Sequence, residues 1–218
     1  MTGSNGDQQI LRYRKRQRFI HLLMASSFLV LLFTGLALVW SPLAWLAAGG
    51  WSRYLHRIFA VGFMAVPVLY VVLYPAGAKE LLRESFSYDR DDVAWFGKMY
   101  RYALGRTAKM PPQGRLNAGQ KLHHSAVMVF SALMVITGLI LWWLKSGLTP
   151  TQLAWTAMVH DLSMLALTLL LVGHIFFTFV YTAWSSMASG YVSKDDMELE
   201  HSKWVEELET EAAEEASA

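Results

Sequence analysis

Four histidines, His21, His56, His160 and His174, sit within or at the mouths of long apolar stretches. An ionisable side chain in hydrocarbon costs free energy unless something there offsets it, so such positions mark function by default. His160 and His174 are fourteen residues apart. That is roughly 21 Å of helix and nearly four full turns, so both rings leave one face at two heights of a ~30 Å hydrocarbon core. Placed by depth on antiparallel spans, His56 pairs with His160 and His21 with His174. Two neutral imidazoles from facing helices, with an apolar slot between them, are the axial set of a b-type haem that carries electrons and leaves no iron position open. Two such haems, stacked across the bilayer on these four histidines, are expected. Zinc or copper fits worse, because two ligands per depth do not close a zinc site and no carboxylate or thiol stands near. Polar glue between helices is the competing structural use of the same residues.

The elements that must hold these residues are four apolar runs, 19–40, 54–74, 122–144 and 153–184, each at or beyond the ~20 residues that cross a bilayer. Of 218 residues, 54% are hydrophobic and 9 are Trp, too apolar for an ordinary soluble domain. Backbone groups cannot stay unpaired in lipid, and no segment alternates as a barrel strand does. The expected fold is an all-α membrane protein, a four-transmembrane-helix bundle binding two b-type haems. It divides into a basic N-terminus (1–18), a cytochrome b domain (19–184) with a loop at 75–118, and an acidic tail (185–218).

Arg12, Arg14, Lys15, Arg16 and Arg18 precede the first run, as a signal peptide's basic start would. The run is too long for a cleaved signal and carries His21, so it reads as an uncleaved span. The loop from Lys79 to Arg115 is also basic, and the positive-inside rule places it and both termini in the cytoplasm. Tryptophans 40, 45, 51, 142, 143 and 155 crowd the opposite, short loops as interfacial anchors. A formal charge of +2 gives no reason to invoke nucleic acid. No cysteine occurs, which removes disulfides, covalently attached haem and iron-sulfur clusters from this chain.

Small residues suit a porphyrin. Thr34-Gly35 on the first helix and Thr137-Gly138 on the third fall at the height of His56 and His160, and Gly62 and Gly173 add two more small positions. Frequent glycine in transmembrane helices explains them equally well. Arg53 and Arg57 are candidates for haem propionates or for interface snorkelling. Before the third span, Asn117-Ala118-Gly119-Gln120-Lys121 offers amides and an exposed backbone N–H to a quinone carbonyl, or else a helix cap. Val93, Phe96, Tyr100 and Leu104 follow helical spacing and predict a surface helix at 91–105; Met197, His201, Trp204 and Leu208 do the same in the tail, where a solvated helix is the default.

Arg18-Phe19-Ile20-His21, Arg53-Tyr54-Leu55-His56, Leu116-Asn117-Ala118-Gly119-Gln120-Lys121, Thr137-Gly138-Leu139-Ile140-Leu141-Trp142 and the His160 to His174 spacing carry a resemblance over nearly the whole chain. The chain resembles the gamma subunits of respiratory formate dehydrogenase, membrane cytochromes b. The resemblance implies that His56 and His160 bind a periplasmic haem b and His21 and His174 a cytoplasmic one. It also implies that Asn117, Gly119 and His174 lie at a menaquinone site, with Gln120 beside them. Its implied partners are an iron-sulfur beta subunit and a molybdenum or tungsten alpha subunit, in the bacterial inner membrane. Electrons from periplasmic formate oxidation would then reach quinone at the cytoplasmic side and build proton-motive force. His123 and His124 depart from the apolar or aromatic residues expected after the quinone segment. His124 therefore competes with His21 as the inner ligand, and the pair also reads as interfacial residues or as proton donors to quinone. A cytochrome b of a hydrogenase or thiosulfate-type molybdoenzyme shares the histidine pattern; a haem-free anchor or metal transporter is the alternative of another class.

Overall fold

A computed structural model describes residues 8–106, 109–180 and 183–217. Expected features at 1–7, at 107–108 in the loop, at 181–182 late in the fourth run and at 218 lie outside the described residues. Helix α1 (Lys15–Val39) leads through a 3-10 turn at Ser41–Leu43, the single turn α2 (Ala44–Ala47) and a second 3-10 turn into α3 (Trp51–Leu73). The chain reverses there on Gly49 and Gly50 at φ of 79° and 81°, a region open to glycine at no steric cost. Helices α4 (Pro75–Phe86) and α5 (Arg90–Ala103) follow. Next, α6 (Ala118–Leu139) widens into a π turn at Ile140–Leu144, and α7 (Pro150–Val180) starts on proline at its first position, where a missing N–H is harmless. The chain closes with α8 (Ala183–Ser189), β2 (Tyr191–Ser193), α9 (Lys194–Glu200) and α10 (Ser202–Ser217); β1 (Gln9–Leu11) precedes α1.

Four helical stretches, Lys15–Val39, Ser41–Leu73, Ala118–Gly147 and Pro150–Phe179, are long and apolar enough to cross a membrane. Helix α1, α3, α6 and α7 each begin three or four residues ahead of the expected apolar run. The reason is local: first-turn residues are helical without being apolar. Pro67 lies inside α3, where the bundle tolerates a lost N–H.

The chain forms two compact units. One comprises Lys15–Ala78 and Val127–Phe176. In it α1 packs along α3, with Ser27 and Thr34 of α1 and Phe63 and Val66 of α3 buried. A Cβ on Gly62 would lie 3.4 Å from Ser27 Oγ, so small residues set the close approach of the two helices.

The other unit joins Met1–Arg14, Lys79–Ala126 and Phe177–Ala218. Strands β1 and β2 pair antiparallel, with Ile10 opposite Val192. Val192, Met197 and Val205 form its core, flanked by Ile10 and Trp204. The expectation of a solvated tail holds for 206–217, exposed but for the half-buried Leu208, and is corrected before it: Met197 and His201 are buried, and the stripe they form with Trp204 faces protein. Helix α5 presents Val93, Phe96, Tyr100 and Leu104 outward, the exposed apolar stripe expected of a surface helix.

Candidate cofactor site

His56 of α3 and His160 of α7 face each other with ring centroids 6.5 Å apart and planes at 63°. Each ring is held the same way. Thr34 Oγ1 donates to Val30 O at 2.7 Å, one turn back on α1, and lies 2.9 Å from His56 Nδ1. Thr137 Oγ1 donates to Leu133 O at 2.6 Å on α6 and lies 2.9 Å from His160 Nδ1. A Cβ on Gly35 would sit 3.6 Å from His56 Cε1 and one on Gly138 3.2 Å from His160 Cε1. Gly138 therefore makes room for the His160 imidazole edge itself, whereas a side chain at position 35 would meet His56 at ordinary contact distance.

His21 of α1 and His174 of α7 form a second pair, with centroids 6.0 Å apart and planes at 45°. Arg57 places its guanidinium 5.5 Å over the Trp142 ring, a cation–π contact at the helix mouth, and Arg53 is exposed. Gly62 faces Ser27, whereas a Cβ on Gly173 would meet nothing within 4 Å.

The segment 117–121 belongs to the other unit. Asn117 Oδ1 accepts from Gln120 N at 2.9 Å and Gln120 Oε1 accepts from Asn117 N at 3.2 Å, a reciprocal cap on α6. Both side-chain carbonyls are thus occupied, and the amide NH2 groups are what these residues can offer a ligand. The indole of Trp95 covers Gly119. Lys121 Nζ donates to Asp92 Oδ2 at 2.7 Å, and Asp92 is 2% exposed while also capping α5 through Asp89 N. His123 and His124 follow on α6, with ring centroids 6.0 Å apart.

The tail locks onto the loop around the same segment. Gln113 Oε1 accepts from Ala118 N at 2.7 Å, and Gln113 O accepts from Lys203 N at 3.1 Å. His201 Nδ1 donates to Gly114 O at 2.7 Å, and its Nε2 accepts from Arg12 Nη2 at 3.2 Å. Burial, with the Arg12 charge adding to it, pulls the His201 pKa down to about 3. Next to it, burial pushes Glu200 up to about 7. Lys203 bonds to Asp89 at 2.9 Å and holds that carboxyl down at about 2. Asp92 and Trp95 gave no signal in the sequence, and His201 gave only its helical spacing with Met197, Trp204 and Leu208.

Helices of membrane length thus bring together two pairs of imidazoles. The chain belongs to the prokaryotic cytochrome b561 family, whose family model matches residues 12–190. Members of this family bind haem b. The chain is 22% identical over 204 residues to the formate dehydrogenase cytochrome b556(fdo) subunit of Escherichia coli K12, covering 91% of this chain and 93% of that protein. It is 22% identical over 210 residues to the nitrate-inducible formate dehydrogenase cytochrome b556(Fdn) subunit of the same strain, covering 93% of each. The formate dehydrogenase cytochrome b556 subunit of Haemophilus influenzae is 22% identical over 206 residues, covering 93% of this chain and 85% of that protein.

Proposed function

We propose that this chain is the cytochrome b subunit of a respiratory formate dehydrogenase in a bacterial inner membrane, carrying electrons inward to a quinone. The observation that carries the reading is the spacing of the imidazoles. His56 with His160, and His21 with His174, would each hold one haem b between two facing imidazoles. The ring centroids stand 6.5 and 6.0 Å apart, and two pairs of like spacing support two like sites. Among the described residues, no three His, Cys, Asp or Glu side chains gather as a bare metal ion's ligands would.

In this reading His56 and His160 hold one haem b, and His21 and His174 hold the second. Haem b, when bound, supplies reversible one-electron transfer at a fixed depth. The chain's own residues do the rest: four imidazoles fix the two depths, and the apolar helices exclude water around them. Asn117 and Gln120 offer amide N–H donors to a menaquinone or other quinone carbonyl, with Gly119 between them beneath the Trp95 indole. The basic residues of 12–18 and 79–115 support cytoplasmic termini, so quinone takes its protons from the cytoplasm. An iron-sulfur beta subunit and a molybdenum or tungsten alpha subunit complete the enzyme, and this chain performs no formate chemistry itself. Moving two electrons inward against the potential costs about 4.6 kcal/mol per 100 mV, which formate and hydrogen are both reducing enough to supply.

The test is a reduced-minus-oxidised spectrum and haem count on the chain purified with its companions. Two b-type haems reduced by formate are expected. A colourless, intact complex overturns the reading, and copurifying hydrogenase subunits replace formate with hydrogen. Separate substitution of His21 and His124 decides the inner ligand. Loss of the inner haem is expected for His21→Ala; loss only in His124→Ala overturns the assignment.

A further inference from the structure

The hydroxyl of Thr34 carries one proton, and the helix takes it: Oγ1 donates to Val30 O at 2.7 Å, with Leu31 O second at 3.2 Å. What Oγ1 turns toward His56 Nδ1, 2.9 Å away, is therefore a lone pair. Nδ1 must supply the proton of that bond. The same valence argument holds at the other ring, where Thr137 Oγ1 is engaged by Leu133 O at 2.6 Å and Met134 O at 3.3 Å and stands 2.9 Å from His160 Nδ1. A neutral imidazole with its proton on Nδ1 has its lone pair on Nε2, on the far side of the ring from the threonine.

The arrangement occurs twice with one logic. Thr34 precedes its histidine by 22 positions and Thr137 by 23, each from the helix that leads into the histidine's own span. In both copies the next residue is glycine, whose Cβ would stand 3.6 Å from His56 Cε1, as near as to Met164 Sδ, in one and 3.2 Å from His160 Cε1 in the other. Threonine and glycine thus address two adjacent atoms of one ring edge, one by hydrogen bond and one by absence of bulk. Chance thinning of a helix surface explains the glycine but not the paired hydroxyl.

We propose that Thr34 and Thr137 are positioning residues that set the tautomer of His56 and His160, presenting both Nε2 atoms to one iron and making the two rings stronger donors. The proposal rests on the haem reading above. A ligating histidine whose second nitrogen donates to a fixed acceptor is held in orientation and gains basicity. Greater basicity favours the ferric state, so the threonines lower the midpoint potential of the His56–His160 haem.

The experiment uses the whole complex. Thr34→Val and Thr137→Val keep shape and remove the hydroxyl acceptor, leaving only the backbone carbonyls of Leu31 and Met134 that also bond the two rings; Thr34→Ser and Thr137→Ser keep the hydroxyl. The valine variants should shift the midpoint potential of one haem positive, leave the other unmoved, and weaken retention of the affected haem by about 10–100-fold. The serine variants should restore both. Unchanged potentials with full haem in both valine variants overturn the proposal, whereas a wild-type complex without haem overturns the reading beneath it. Pulsed EPR of the unsubstituted ferric complex covers variants that fail to assemble. It should find the remote nitrogens of the two ligands protonated and strongly hydrogen-bonded; weakly bonded remote nitrogens refute the role.

Discussion

The indole of Trp95 lies on Gly119 so closely that a Cβ there would stand 2.8 Å from Cη2 and 3.3 Å from Cζ3. Gly119→Ala should therefore displace a rigid ring rather than a flexible tail, at a cost of about 1–3 kcal/mol. Thermal melting in detergent checks it. Trp95→Phe, by shrinking the ring, should recover part of the loss in the double variant, because residues in contact do not add independently. If Gly119 serves only a quinone, the alanine variant instead melts normally and shows a changed KM for quinone alone.

Asp92 and Lys121 form a nearly buried ion pair at 2.7 Å. Asp92→Asn strands the Lys121 ammonium beside α5, and Lys121→Met strands the carboxylate. Each should destabilise by about 3–5 kcal/mol, and the double variant should lose less than the sum. Denaturant titration with a double-mutant cycle measures this; strict additivity refutes coupling.

His201 and Glu200 give the docked tail opposing pH responses. His201 is held at about 3, below its ordinary 6.5, so its contribution is complete above pH 6.5 and is lost as pH falls toward 3. Glu200 is held at about 7, above its ordinary 4.5, so its contribution is complete below pH 4.5 and is lost as pH rises toward 7. Between 4.5 and 6.5 the two offset. Hydrogen exchange in α9 and α10 should be nearly flat there in the wild type. Glu200→Gln should make protection fall on acidification, and His201→Gln should make it fall as pH rises; responses of the same sign in both variants contradict the assignment.

The two glycines beside His56 and His160 differ in tolerance. A Cβ at position 35 makes ordinary contacts at 3.6 Å, whereas one at position 138 stands 3.2 Å from His160 Cε1. Gly35→Ala should be neutral or stabilising, since alanine is favoured over glycine in helices by about 1 kcal/mol. Gly138→Ala should disturb the His160 ring and alter the haem spectrum. Equal spectral damage in both variants indicates that a porphyrin, not the imidazole, occupies the space at Gly35.

The amino-acid sequence alone determined the four apolar spans, because hydropathy and helical length are local properties summed over ~20 residues. It also determined the candidate histidines and their sorting by height, since helical rise converts position into depth. The stripe of α5 was legible for the same reason. Only the tertiary structure decided that Thr34 and Thr137 reach the imidazoles of the following spans. It alone showed that Asp92 receives Lys121, that Trp95 covers Gly119 and that His201 docks against Gly114. Those partners are separated by 22 to 87 positions. No periodicity encodes such pairings: a hydroxyl in a helix looks the same in sequence whether it bonds only its own backbone or also steers a ring on a neighbouring helix. Burial of the first part of the tail, up to Val205, was misjudged for a related reason, as an acidic composition describes the outer face of a helix and stays silent about the apolar stripe on the other.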